Sequence, residues 1–196
     1  MPAGMSILTC MNEPNYVNQL LIAMPGMQDP NFETTVTLIC EHTDEGALGI
    51  VINRPLDLRL GDVLAQLELT AEHAEIGDTR VLAGGPVGHE RGFVLHAGEQ
   101  EWEATLEVSD DIRVTFSRDI LAAIAAGIGP SRSLVALGYA GWDAGQLESE
   151  MMANAWLNVT ATPDIVFEVP FDQRWQAAAR QLGIDITRLA SDAGHA

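Results

Sequence analysis

The sequence predicts an α+β fold built on a mixed β-sheet flanked by helices. Three observations carry that expectation. Short β-branched apolar runs outnumber amphipathic helical stretches. The early runs are close enough to form hairpins. The later ones alternate with helical patterns, so a mixed sheet and not a purely parallel doubly wound fold is expected.

Taken in order, Leu20–Met24 is an apolar strand closed by Pro25-Gly26. Thr34–Cys40 is rich in β-branched residues, and Leu48–Ile52 follows the break at Glu45-Gly46, so the two form a hairpin. Leu60, Val63, Leu64 and Leu67 recur at i, i+3, i+4 and i+7, one face of a helix. Arg80–Ala83 and Gly92–His96 are strands on either side of a glycine-rich bend. Thr105–Val108 and Ile112–Phe116 make a hairpin around Ser109-Asp110-Asp111. Asp119–Ala126 is an alanine-rich helix ending at Gly127, and Leu134–Leu137 is a fully apolar strand. Asp143 with Gln146 reads as a capping box for a helix running to Trp156. Ile165–Val169 is expected as a last strand, and Asp172 as the cap of a final helix stopped by Gly183. Residues 1–15 lack sustained periodicity and are expected to be a leader, with Met11 an alternative start; residues 16–196 form one domain without an internal linker.

Composition narrows the function classes. The 196 residues are 47% hydrophobic and 19% charged, enough for a packed core. Net charge is -18, and all ten basic residues are arginine, dispersed from Arg54 to Arg188. Such a field repels phosphate backbones and anionic membranes, and no window forms a basic patch. Two cysteines, Cys10 and Cys40, make no disulfide framework and no metal-spaced pair. The uncharged stretches are shorter than the ~20 apolar residues of a membrane span. A soluble cytoplasmic protein is expected.

No local motif encodes catalysis. The stretch from Gly84, Gly85 and Pro86 to Arg91 lacks the GK[ST] ending of a P-loop and does not open a helix as GxGxxG does. It reads either as a tight bend or as an anion cradle completed by Arg91. The stretch Gly138 to Gln146, with Gly141 and Trp142, lacks the serine of a nucleophile elbow. It reads as close packing or as a ligand loop at a strand end. Asn53 and Arg54 end a strand, and the arginine can serve a bidentate anion contact or a structural one. If there is a ligand, the expected site gathers Asn53, Arg54, Gly84, Gly85, Pro86, Arg91, Gly138, Gly141, Trp142 and Gln146, with Trp142 as a stacking surface. The five histidines show no ligand spacing, and although His42 lies beside Glu41 and Asp44 no metal is expected; with no catalytic motif in the chain, no cofactor and no catalytic residue is expected either.

Several ordered motifs resemble the YqgE/AlgH family. They are Leu21-Ile22-Ala23-Met24-Pro25, Asp29-Pro30-Asn31-Phe32, Glu41-His42, Gly46 through Pro55, Gly84-Gly85-Pro86-Val87 and Arg91 through His96. The second half adds Leu137 through Trp142, Gly145-Gln146-Leu147-Glu148, Asn154-Ala155-Trp156-Leu157 and the terminal Ala193 through Ala196. The resemblance covers residue 16 to the end. It implies an α/β-like sandwich with a smaller α+β portion, in a bacterial cytosolic group without established catalytic residues. That group carries the label of transcriptional regulator through one member's association with alginate production. Three readings follow: a non-catalytic regulatory protein acting through a protein partner, a binder or enzyme for a small anionic ligand or nucleotide using the glycine loops, and a direct DNA-binding regulator. The missing catalytic constellation favours the first, and the charge opposes the third.

The purified protein is therefore expected not to bind duplex DNA specifically at physiological salt. An electrophoretic mobility assay checks this; a sequence-specific, salt-sensitive shift at sub-micromolar protein would overturn it.

Overall fold

The computed structural model describes residues 14–192, so the expected leader and Cys10 fall largely or wholly outside the described part. The chain begins with a meander. Strands β1 (Gln19–Ala23), β2 (Val36–Thr43) and β3 (Gly46–Val51) pair antiparallel, and β2 turns into β3 through Asp44-Glu45. A short edge strand β4 (Pro55–Arg59) leads into α1 (Leu60–Gln66), which buries Leu60 and Leu64. One helical turn, α2 (Ala74–Gly77), precedes β5 (Arg80–Ala83) and the long β6 (Val87–His96). The hairpin β7 (Thr105–Glu107) and β8 (Arg113–Thr115) forms where the acidic turn predicts it. Helix α3 (Arg118–Ala125) then leads to the 11-residue strand β9 (Ser133–Asp143). Helix α4 (Gln146–Met152), strand β10 (Trp156–Thr160), a π-helical turn (Asp164–Glu168), a 3-10 turn (Phe171–Gln173), α5 (Arg174–Gln181) and α6 (Ile186–Asp192) complete the chain.

The sheet order is β10-β1-β2-β3-β9-β6-β8-β7. Strand β5 lies parallel to β9 at Leu82 and Ala83 and pairs antiparallel with β4. The sheet is thus mixed, and the α+β class holds. Strand β9 joins the halves: residues 133–137 pair with β6, and residues 140–143 pair with β3.

Alternation along the strands sorts side chains into three cores. Leu38, Cys40, Ile50, Phe93, Leu95 and Ala136 join the main core, which α5 and the π-helical turn cover. Val94 and Val135, of opposite parity, meet α1 and α3 in a second core. Leu21 and Ile39 face a third, closed by α4 and by Met27 and Phe32 of the β1–β2 connection. Gly138 changes the parity of β9. Before it Leu134 and Ala136 face the main core; after it Ala140 and Trp142 face the third. Its φ of +77° suits glycine, and a Cβ there would stand 2.8 Å from the Gly85 carbonyl oxygen.

Arg174 fastens α5 to the sheet. It is 2% exposed, and its Nε and Nη1 donate to the carbonyls of Val169 and Ile52 at 2.8 and 2.5 Å. Its guanidinium lies 4.5 Å from the Phe171 ring centre. Burial pulls its pKa down to about 10, which still leaves it charged at neutral pH.

Several expectations are corrected: α5 is capped by Gln173 rather than Asp172, and it is not the final helix, since α6 follows Gly183. The helix after Asp143 does not reach Trp156. Asn154 takes a left-handed conformation (φ 55°), ends the helix, and releases Trp156–Thr160 to pair with β1. Ile165–Val169 is not a strand: Asp164–Glu168 form the π-helical turn, in which the adjacent Ile165 and Val166 are both buried. Burial on one side of a turn outweighs the β-propensity of the run.

A Cβ on Gly85 would overlap the Tyr139 carbonyl, so Gly85→Ala is expected to destabilise by roughly 3 kcal/mol or more through overpacking and backbone displacement. Gly26, with open space around it, is the control: Gly26→Ala is expected to stay within about 0.5 kcal/mol. Urea unfolding midpoints at fixed m-value compare the two.

Candidate functional site

The two glycine stretches and the Asn53-Arg54 step meet, and they meet backbone to backbone. The Gly84 amide donates to the Leu137 carbonyl, the Val51 amide to the Gly84 carbonyl and the Ala83 amide to the Arg54 carbonyl, all at 2.8 Å. Gly84, Gly85 and Gly138 have no Cβ because the strands cross there at backbone contact. The Pro86 carbonyl accepts from His89 Nε2 at 2.9 Å. Asn53 joins the start of β2: its Oδ1 accepts from the Val36 amide and its Nδ2 donates to the Thr34 carbonyl. Arg54 clamps the β1–β2 connection, donating from Nη1 and Nη2 to the carbonyls of Asn31 and Glu33, each at 2.8 Å.

The other expected residues lie further along β9 and around α4. Gly141 is exposed opposite Leu48 of β3. Trp142 offers no stacking surface to solvent. It is 5% exposed, stacks on Phe32 at 6.1 Å, and meets Trp156 edge-on at 6.2 Å. Glu150 ties this cluster together, because its Oε2 accepts from both indole N–H groups, Trp142 at 2.9 Å and Trp156 at 2.8 Å. Gln146 donates to the other Glu150 oxygen and accepts from the Asp143 amide. The N-cap of α4 is Gly145 rather than Asp143, and the helix has only seven residues.

Polar pairs that spacing did not reveal are also present. His42 Nε2 donates to Glu148 Oε1 at 2.6 Å, while its Nδ1 accepts from the Tyr16 amide at 3.2 Å. Both ring nitrogens are thereby engaged, so the pair ties β2, α4 and the first described residues rather than offering a free base. His96 is buried against Thr115 Oγ1 at 2.9 Å, and burial lowers its pKa below 6.5. Burial pushes the Cys40 thiol pKa upward, and the nearby Glu41 charge adds to the shift, so a thiolate is disfavoured. Among the described residues, no group of three or more His, Cys, Asp or Glu side chains is arranged to hold a metal ion.

Arg91 behaves differently from the rest of the expected set. It lines an open groove of about 370 Å³ with Glu41, Leu48, Phe93, Leu106 and Phe116. Phe116 is 57% exposed, and its ring lies 6.4 Å from that of Phe93. Neither Arg91 nor Glu41 has a side-chain hydrogen-bond or ion-pair partner among the described residues.

The family model described as AlgH-like matches residues 20–187. The chain belongs to the AlgH-like family. A UPF0301 protein of Saccharophagus degradans is 55% identical over 179 residues, spanning 91% of this chain and 88% of that relative. Another, from Thioalkalivibrio sulfidiphilus, is 54% identical over 93% of this chain and 97% of its own. The solution structure of AlgH from Pseudomonas aeruginosa matches with a TM-score of 0.77 at 48% identity, over 93% of this chain and 97% of that one. A Corynebacterium diphtheriae protein shares the fold alone, with a TM-score of 0.71 at 18% identity over 90% and 92% of the two chains. Among the described residues no helix is long and apolar enough to cross a membrane.

Within this AlgH-like chain most of the expected site residues are engaged in packing or in hydrogen bonds, Gly141 and Gln146 stay exposed, and Arg91 is the accessible cation. Trp142→Phe is expected to lower stability by about 1–3 kcal/mol, since it empties part of the third core and takes a donor from Glu150. Arg91→Ala is expected to change it by no more than about 0.5 kcal/mol. Denaturant titration of both variants checks the division.

Proposed function

We propose that this protein is a non-catalytic interaction protein that holds an extended segment of a protein partner in the groove lined by Phe93, Leu106 and Phe116. One observation carries the reading. Phe116 stands more than half exposed over an apolar floor, next to a strand whose outer side pairs with no other strand among the described residues. Among the described residues, strand β7 ends the sheet and pairs with β8 alone. A free strand edge beside apolar pockets suits strand addition, in which backbone groups supply affinity and alternate side chains supply specificity. The regulation that the family label suggests would then act through the bound partner, in the cytoplasm, without direct contact to nucleic acid.

A small anionic ligand or nucleotide held by the glycine loops has less support. The Gly84 amide is spent on Leu137, and the Arg54 guanidinium on two carbonyls. What remains is Arg91, at the rim of an apolar groove rather than in an amide cradle.

A displayed library of eight-residue peptides tests the reading. Peptides with apolar residues at alternate positions are expected to be enriched. Phe116→Asp is expected to weaken the best of them about tenfold or more, the effect of losing one groove anchor. The unfolding midpoint should stay close to that of the parent chain. Failure to enrich any peptide, or enriched peptides indifferent to Phe116→Asp, would overturn the proposal.

A further inference from the structure

We infer that the groove selects its partner segment by charge, taking an apolar residue with one acidic and one basic side chain on either side of it. This rests on the reading of the groove as a peptide site and gives that partner a chemistry.

The inference starts from how the two charges reach the groove. On β2, Ile39 pairs with Gly49 and Glu41 with Leu48, so Cys40 is an extra residue. The resulting bulge puts both Cys40 and Glu41 on the main-core side, and Glu41 emerges at the groove beside Leu48. On β6, Val87 pairs with Tyr139 and Gly92 with Leu137, so residues 88–91 form a larger bulge opposite Gly138 alone. Its last residue, Arg91, reaches the same groove, with its stem 3.4 Å from where a Cβ on Gly88 would lie. Two irregularities on separate strands therefore deliver one carboxylate and one guanidinium to a single apolar cavity.

The use of arginine elsewhere sharpens the point. On a chain of net charge -18 with ten arginines and no lysine, most cations have structural work. Arg54, Arg59, Arg118 and Arg174 bind backbone carbonyls; Arg113 binds the Gly98 carbonyl and Glu107; Arg132 meets Glu168 and Phe167. Arg91 has no such partner among the described residues, and neither does Glu41, although both line the same groove. The two are not spent on each other: no ion pair joins them within 4 Å. A bound segment that brings an acidic side chain to Arg91 and a basic one to Glu41 satisfies both while its apolar residue covers Phe93 and Phe116. A segment with two like charges leaves one of them facing its own sign, which costs specificity as well as affinity. A volume of about 370 Å³ is at the small end of ligand cavities, the size for a short segment and not for a folded domain.

Five capped and fluorescently labelled pentapeptides test this on the full chain. Each has phenylalanine at the centre and valine on both sides of it. The ends are Lys and Glu, Glu and Lys, two Glu, two Lys, or two Gln. One mixed-charge order is expected to bind tightest, about fivefold above the neutral peptide, with the advantage shrinking at high salt. Arg91→Glu is expected to shift preference to the doubly basic peptide, and Glu41→Arg to the doubly acidic one. The double variant, with both changes, is expected to prefer the opposite mixed order. Binding that is indifferent to end charge in all three variants would overturn the charge selection and leave the peptide groove standing. Absence of binding by every peptide would overturn both. Displacement of the best peptide by inorganic phosphate at a similar concentration, lost in Arg91→Gln and unaffected by Glu41→Gln, would show a simple anion site and overturn the inference. Both wild-type side chains are exposed, so folding of each variant is checked by its unfolding midpoint, expected to match the parent.

Discussion

The backbone contact of Gly84 and Gly85 with Gly138 and Tyr139 is the constraint on which the rest of the structure depends. Strand β5 enters this crossing parallel to β9, and β6 leaves it antiparallel. Any side chain at Gly84 or Gly85 would occupy the space of the β9 backbone. The same crossing changes the parity of β9 at Gly138, so one strand serves three cores. Without that change Ala140 and Trp142 would point at the main core, and the face beneath α4 would have no centre. Backbone hydrogen bonds from the Gly84 amide to the Leu137 carbonyl and from the Val51 amide to the Gly84 carbonyl tie the crossing together.

An acidic chain with few cations must satisfy buried polar groups by other means. Arg174 has carbonyls and an aromatic face in place of a carboxylate. Glu150 has two indole donors and an amide in place of an arginine. In each case a charge is held by neutral dipoles, which avoids the exacting geometry of a buried ion pair while still meeting its hydrogen-bond needs. The result is a set of cross-links between elements far apart in the chain: α5 to the end of β3, α4 to β9 and β10, and, through His42 and Glu148, β2 to α4.

That economy gives the groove its meaning. Most polar side chains that looked functional are consumed by packing, whereas Arg91 and Glu41 stay accessible above an apolar floor. Bulges cost ladder hydrogen bonds and are kept where they re-aim a side chain. Here two of them converge on one cavity beside β7, the last strand of the described sheet. Membership of the AlgH-like family shows that the architecture is shared, as its agreement with the Pseudomonas aeruginosa AlgH structure demonstrates.

Local chemistry alone determined much of the fold. The β-branched runs of β2 and β3, the hairpin around Ser109-Asp110-Asp111 and the apolar stripe of α1 are set by residues close together in the chain, so period and turn residues reveal them. The bend at Gly84-Gly85 was also legible, as was its proximity to Gly138. What that proximity means was not, because a glycine that cradles an anion and a glycine that admits another backbone look the same in one dimension. Ile165–Val169 reads as a strand by propensity yet forms a π-helical turn, since its two buried residues meet the main core from one side. Trp142 reads as a surface for stacking, but Phe32, Glu150 and Trp156, from three different parts of the chain, enclose it. The groove lay beyond the sequence for the same reason: Glu41 and Arg91 are 50 positions apart. Only the register of β2 on β3 and of β6 on β9, fixed by pairings across the whole sheet, turns both toward one cavity.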